Sequence, residues 1–436
     1  METLMTTLGV VVLIFLVLGL GAWVFAGLVM VSVLSLFWLG DFSFHRIGVT
    51  LTRILFRAGN SWELSAIPLF IFMGELIFRS DISERLFKGL EPFARRIPGG
   101  ILHTNIFGCT LFAAVSGSSS ATTATVGKIT TRELQQRGYD RKLSIGSLAG
   151  AGSLGLLIPP SIVMIVYGVQ AEVSISKLFM AGVLPGLLIA ALYSAYLFAQ
   201  AVMHPQKAPR QTTEESSVTL WQSIKLLSPV LALIFVVIGS IYSGLATPSE
   251  AAAVGLGASL LMLAAERQLS WDLFSGALRS AILSSVMVCS ILVCAALLAT
   301  AVGYLHIPQD LAAVISAMDL SPAQLLMILA LFYIVLGLFL DGISITVMSL
   351  PITLPLVLQA GIDPIWFGVF LVIMVELGQI TPPVGFNLFV LQGLTGEKLG
   401  KVALAAMPFF ILMCCAALLI TLFPGIVLWL PELGSG

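Results

Sequence analysis

The chain has 436 residues, of which 58% are hydrophobic and only 10% charged, with a mean hydropathy of +1.05. Soluble domains carry about 25% charged residues, so the composition excludes a soluble globular protein and gives a polytopic α-helical membrane protein. Continuous apolar runs, in place of short alternating segments, exclude a transmembrane β-barrel, and a net charge of −1 argues against a nucleic-acid partner.

Leu4–Gly40 is too long for one span and is expected to form two helices divided near Gly19–Gly21. With only Met1-Glu2 before it and no basic residue, it reads as a retained span and not as a cleaved signal. Arg46, Arg53 and Arg57 decorate an amphipathic piece expected to lie in the interface. Ile67–Phe78 is a shorter apolar segment containing Glu75. Arg79–Arg96 carries Ile82, Leu86, Phe87, Leu90 and Phe93 at helical spacing, a second interfacial helix closed by Pro98-Gly99-Gly100. Ile101–Thr131 centres on AAVSGSSSATTATVG. Apolar arms of about ten residues are half a span each, which predicts a re-entrant hairpin with its tip near the midplane. The basic loop Arg132–Lys142 is then expected to be cytoplasmic. Ala149–Gln170 is apolar but interrupted: Gly150, Gly152 and Gly155 lead into Pro159-Pro160. Proline lacks an N–H and clashes with the preceding turn, so the helix breaks there. Leu178–Met203 is a plain span.

His204–Ser217 is the natural linker between halves. Leu226–Tyr242 and Ala251–Ala265 are spans around Ser243–Glu250, with Thr247-Pro248-Ser249-Glu250 shaped like a helix start. Trp271–Arg279 reads as an amphipathic connector, Ala281–Tyr304 as a span and Pro308–Ala317 as a shorter arm. Leu325–Leu340 runs into DGISITVMSLPITLP, a second hydroxyl-and-glycine tip. Asp363–Glu376 leads to a second break at Pro382-Pro383, and Val402–Leu430 is the closing span. The expected divisions are N-terminal helices and arms over 1–100, a first repeat with hairpin and broken helix over 101–203, a linker over 204–220, further helices and an arm over 221–320, a second repeat with hairpin and broken helix over 321–395 and a C-terminal span over 396–436. Ser116 matches Asp341 at an offset of 225, and Pro159 matches Pro382 at 223. Two pseudo-symmetric repeats follow, and repeats with broken helices are more commonly inverted.

The two tips and two breaks together make the candidate site. A broken helix in a bilayer exposes backbone groups that only protein or a water-filled cavity can satisfy. Free carbonyls with serine and threonine hydroxyls are hard oxygen ligands suited to Na⁺, and half-helix N-termini favour an anionic substrate. Sodium ligands are expected from Ser116, Gly117, Ser118 and Ser119 with Gly155, Ile158 and Pro159, and from Gly342, Ser344 and Thr346 with Gly378, Thr381 and Pro382. Substrate contacts are expected from Ser119, Ser120, Thr122, Pro160, Asp341 and Pro383. Asp341 and Glu376 are the ionisable residues nearest the second tip; Asp341 is either a functional charge or an N-cap. Lys128, near the first tip, is expected to snorkel to the basic loop. Cys109, Cys289, Cys294, Cys414 and Cys415 read as small hydrophobes, and no cofactor or transition metal is expected: the four histidines are scattered, with no HExxH pair. A GxxxxGK[ST] phosphate loop is absent, so this chain does not hydrolyse ATP by that route, and without a nucleophile–base pair it is not expected to be an enzyme.

AVSGSSSATTATVG, GAGSLGLLIPPSIVMIVYG, LDGISITVMSLPITLPL and GIDPIWFGVFLVIMVELGQITPPVGFNLFV together resemble the large membrane subunit of a tripartite ATP-independent periplasmic (TRAP) transporter, over nearly the whole chain. The resemblance implies an elevator-type carrier in the bacterial inner membrane, a mobile domain with two hairpins and two Na⁺ sites, and a fixed scaffold. It also implies two partners, a small four-helix membrane subunit and a periplasmic substrate-binding protein. One departure stands out: Leu157-Ile158-Pro159 lacks the threonine that Thr381 supplies in the second break. The reading is a Na⁺-driven symporter subunit importing a small organic acid such as a C4-dicarboxylate or sialic acid. The alternative is a stand-alone divalent-anion:sodium carrier, ahead of an intramembrane enzyme.

Overall fold

Within a bilayer the backbone must satisfy its own hydrogen bonds, and every regular element among the described residues is helical. The computed structural model describes residues 9–434 other than 11, 15, 18–20, 22, 210–218, 311–312, 314–319 and 383–384. Six described helices are long and apolar enough to cross a membrane, and six more apolar helices are shorter, at 10–17 residues. A crossing takes about 20 residues, and five of the six short ones belong to hairpins or broken helices.

The described residues of 9–17 are helical, and α1 (Val24–Trp38) begins beyond Gly21, whose φ is +81°. The amphipathic α2 (Phe44–Gly59) buries only Ile47. It is followed, across a 54° bend, by α3 (Ala66–Arg79). α4 (Ile82–Ala94) buries Ile82, Leu86, Phe87 and Leu90, the stripe its spacing predicted, and leaves Phe93 half-buried. α5 (Leu102–Ser116) and α6 (Ser119–Gln136) form the first hairpin. α7 (Arg141–Gly152), a 3-10 turn at Ser153–Leu156 and α8 (Ile162–Ala171) form the first broken helix, and α9 (Ile175–Met203) is a full span. In the second half α10 (Leu220–Tyr242) precedes α11 (Pro248–Ala265), which opens on a capping box in which Thr247 and Glu250 each satisfy the other's backbone N–H. α12 (Trp271–Tyr304) follows. α13 (Pro322–Gly337) and α14 (Gly342–Gln359) are the second hairpin, α15 (Pro364–Gln379) and α16 (Phe386–Thr395) the second broken helix. α17 (Leu399–Leu422) and α18 (Gly425–Leu433) close the chain.

Several boundaries differ from the expectation. Trp271–Arg279 is no separate connector: nothing between it and Ala281 breaks a helix, and α12 runs through both as 34 residues. The closing span is divided, because Pro424-Gly425 interrupts the apolar run between α17 and α18. The basic stretch is mostly helix, with only 137–140 outside α6 and α7. Two of its arginines are engaged: Arg137 with Glu91 and Glu133 at 2.8 and 2.5 Å, and Arg141 with Glu397 at 2.8 Å. Cys415 is exposed on α17, unlike the buried Cys109 and Cys294. Residues 210–218 of the linker and most of the Pro308–Ala317 arm lie outside the described residues.

Packing sorts the helices into two groups. α1 and α3 pack on α12, α3 also on α11, and α4 on α10. The other group interlocks reciprocally: α6 of the first hairpin packs on α16 of the second half, and α14 of the second hairpin packs on α8 of the first half. That exchange is what an approximate two-fold relation produces. Helix caps fix its register. Ser118 caps α6 and Asp341 caps α14; Asp140 caps α7 and Asp363 caps α15. Both pairs (341 − 118 and 363 − 140) are 223 residues apart, as are Pro159 and Pro382. Asp341 therefore matches Ser118 and not Ser116, which removes the two-residue discrepancy in the sequence pairing.

Candidate functional site

At the first tip the chain reverses through Gly117, the left-handed residue (φ +60°) that ends α5. A Cβ there would also fall 2.7 Å from the Pro160 carbonyl oxygen, so two requirements select glycine. The Gly117 carbonyl accepts the Ile162 N–H at 3.4 Å, joining tip to break through backbone. Ser118 Oγ accepts the Ala121 N–H at 3.4 Å and lies 3.2 Å from Ser120 Oγ, while Ser116 and Thr122 hydroxyls meet at 2.8 Å. Across from them, Leu154–Ser161 is buried throughout, Gly155, Ile158, Pro159 and Pro160 included, and the Pro159-Pro160 peptide is cis. Gly155 lies so close that its Cβ would fall 2.5 Å from Ser119 Cα.

The second tip follows the same plan with different side chains. Asp341 Oδ2 accepts the N–H groups of Ile343 and Ser344 at 3.1 and 3.3 Å, and its Oδ1 accepts the Ser344 hydroxyl at 2.5 Å. Asp341 is therefore an N-cap. Thr346 donates its hydroxyl to the Gly342 carbonyl at 2.8 Å. Gly337 and Gly378 meet backbone to backbone, each placing a would-be Cβ 2.5 Å from the other's Cα. Past them, Thr381 donates its hydroxyl to the Leu377 carbonyl at 2.6 Å and its N–H to the Gly378 carbonyl at 3.1 Å. The carbonyls of Gln379 and Thr381 converge on Gly385, 2.9 and 2.7 Å from where its Cβ would stand. Pro382 is exposed; Pro383 lies outside the described residues.

Among the contacts that join the halves, two lie at the tips. Ser119 donates its hydroxyl to Glu376 Oε1, 257 residues away. Gly342 packs so that its Cβ would stand 3.1 Å from Leu156 Cδ1 and 2.9 Å from Gln379 Nε2. The fold thus brings both tips and both breaks into one neighbourhood. Their facing polar atoms are largely carbonyl, hydroxyl and carboxylate oxygens, a donor set for a hard monovalent cation and not for zinc or copper. α6, α8, α14 and α16 all begin here, each with the positive end of its dipole. α16 starts at Gly385 without a side-chain cap, so its first-turn N–H groups can take an anionic group.

Lys128 is exposed in a cleft of about 850 Å³ that also meets Lys88, Glu91, Thr104 and Thr125. Glu75 pairs with Arg79 at 3.1 Å. Glu172 is exposed at the end of α8, in a second cleft of about 820 Å³ with Arg57, Glu63 and Thr247. The second cleft lies at the end of α8, where Gly168, Val169 and Gln170 line it. Sequence reasoning missed Gly337 and left Glu376 without its partner. Gly337 has a sequence signal: a small residue stands four positions before each cap, Ala114 before Ser118 and Gly337 before Asp341.

Residues 10–426 match the family described as tripartite ATP-independent periplasmic transporter, DctM component. The chain is 33% identical over 384 residues to the C4-dicarboxylate TRAP transporter large permease protein DctM of Pseudomonas aeruginosa, covering 87% of this chain and 88% of that protein. It is 31% identical over 386 residues to the sialic acid TRAP transporter permease protein SiaT of Haemophilus influenzae, covering 88% of this chain and 62% of that protein. Among solved structures, the Alcanivorax borkumensis YdaH transporter matches with a TM-score of 0.63 over 86% of this chain and 87% of that one; at 14% identity this is a likeness of fold alone. The chain belongs to the DctM component family of tripartite ATP-independent periplasmic transporters.

Proposed function

We propose that this chain is the large membrane subunit of a Na⁺-coupled importer that takes a small organic acid, a C4-dicarboxylate, sialic acid or similar carboxylate, across the bacterial inner membrane. A periplasmic binding protein delivers the acid, and a small four-helix membrane subunit completes the complex. The observation that carries the reading is the pairing of two hydroxyl-bearing hairpin tips with two broken helices in one neighbourhood, bridged by Ser119 and Glu376. Oxygen-rich turns bind Na⁺, and converging helix N-termini bind the carboxylate. Inward Na⁺ movement supplies about 2.3 kcal/mol per charge per 100 mV of membrane potential. The interlocked hairpins and broken helices move as the elevator, against a scaffold of α1, α3 and α10–α12. That movement opens the site to each side of the membrane in turn.

The test is uptake of radiolabelled succinate, sialic acid and related acids into proteoliposomes, with both partner subunits present or withheld and Na⁺ or K⁺ outside. Uptake that requires both partners and an inward Na⁺ gradient is expected. Uptake by the chain alone would replace this reading with a stand-alone carrier, and uptake indifferent to Na⁺ would remove the coupling ion.

A further inference from the structure

Glu376 lies on α15 among apolar residues and is fully buried. A carboxylate in a membrane span is costly and requires partners. Its carboxylate takes the Ser119 hydroxyl on Oε1 and meets the Leu156 backbone, while Oε2 is buried with no close hydrogen-bond partner. Two further buried oxygens, Thr123 Oγ1 on α6 and the Tyr193 hydroxyl on α9, also lack a close hydrogen-bond partner. Thr123 follows Ser119 by one turn of α6, on the same face. Its Oγ1 presses on Gly152, where a Cβ would collide with it. The Tyr193 hydroxyl, from α9, meets the side chain of Ser153, the residue after Gly152. α6, α9 and α15 all pack on the turn Ser153–Leu156, which sets these three buried oxygens around one turn. Native interiors satisfy about 90% or more of such groups, and a cluster left over points to an unseen ion or water.

We infer that Glu376, with Thr123 and Tyr193, binds a coupling cation, making a carboxylate-bearing position beside the two turn sites. All three donors are hard oxygens, and the carboxylate supplies the negative charge that carbonyl-lined turns lack. The inference rests on the Na⁺-coupled reading above and assigns one further part of that site.

The experiment is thermal unfolding of the full chain in lipid nanodiscs, titrated with NaCl at constant ionic strength against choline chloride. Wild-type protein is expected to be stabilised saturably by Na⁺. Glu376→Gln, which keeps the shape and the Ser119 hydrogen bond, is expected to raise the half-stabilising Na⁺ concentration at least tenfold. Tyr193→Phe, which removes one oxygen and no volume, is expected to raise it two- to fivefold. It provides the second measurement should Glu376→Gln not fold. If Na⁺ stabilises wild type and the folded variants with the same concentration dependence, the cluster binds only water and this inference falls, while Na⁺ coupling through the turns stands. If Na⁺ stabilises wild type no better than choline does, both fall together.

Discussion

Gly378→Ala isolates the contact on which the second tip rests. The Gly378 Cβ would stand 2.5 Å from Gly337 Cα and 3.2 Å from its carbonyl carbon. Relaxed carbon–carbon contacts lie at about 3.5–4.0 Å, so α13 and α15 must separate by roughly an ångström. The obstructing atoms are backbone and cannot turn aside as a rotamer. Overpacking of this kind costs about 1–3 kcal/mol, against which alanine's better helix propensity returns at most about 1 kcal/mol. A net loss of about 1–2 kcal/mol is expected in unfolding. Because Gly378 opens the turn that ends at Pro382, the displacement reaches the carbonyls of Gln379 and Thr381. If the same energy appears in cation binding, the Na⁺ concentration for half-maximal uptake rises about 5- to 30-fold. Gly257→Ala is the control, in a described helix with nothing within 4 Å of its would-be Cβ. Thermal unfolding and Na⁺-dependent uptake read both effects. Gly378→Ala matching Gly257→Ala in stability and Na⁺ dependence would refute the close-packed-turn account.

Gly117→Ala is expected to impair the first tip more severely, because it combines a left-handed conformation, about 1–2 kcal/mol for an L residue, with a would-be Cβ 2.7 Å from the Pro160 oxygen; low yield of folded protein on gel filtration checks it. Ser118→Ala and Thr381→Ala remove one hydroxyl at each turn and are expected to weaken Na⁺ activation of uptake while leaving expression intact, and unchanged activation in both would contradict the ligand assignment. Glu91 accepts from Arg95 at 2.5 Å and Arg137 at 2.8 Å, tying the end of α4 to the outer end of the first hairpin. Glu91→Gln is expected to cost about 2 kcal/mol, between the values for exposed and buried pairs. Pairing it with Arg137→Gln should recover part of that loss in thermal unfolding, and strict additivity would show that the two residues do not interact.

What the sequence made legible was local chemistry. Pro159 and Pro382 announce their breaks because proline cannot continue a helix, and Thr247 with Glu250 announces α11 because a capping box is a four-residue device. Hydropathy alone misplaced boundaries in both directions. At Arg279–Ala281 polarity changes but nothing stops a helix, and at Pro424-Gly425 a stop signal sits inside an unbroken apolar run. Cap identity corrected the repeat register, since Ser118 and Asp341 do the same work with different side chains. The Ser119–Glu376 bridge was beyond reach of any local pattern, being created by the exchange that sets each hairpin on the other half's broken helix.

That exchange has a thermodynamic consequence. Each turn is built against a hairpin tip, and the two assemblies touch through Ser119–Glu376 and Leu156–Gly342. A cation that orders one turn therefore orders groups that the second cation would otherwise have to order, and the second binds at lower entropic cost. Two Na⁺ sites coupled in this way give a Hill coefficient above 1 for Na⁺ activation of uptake. Ser119→Ala removes the hydrogen bond to Glu376 that links the two tips and is expected to bring the coefficient toward 1. A lost ligand alone would move the half-saturating concentration, whereas lost coupling also flattens the curve. Na⁺ titrations of uptake at fixed, saturating substrate separate the two. A wild-type coefficient of about 1, or a Ser119→Ala curve shifted in midpoint but unchanged in slope, would show that the two turns bind independently despite the contacts between them.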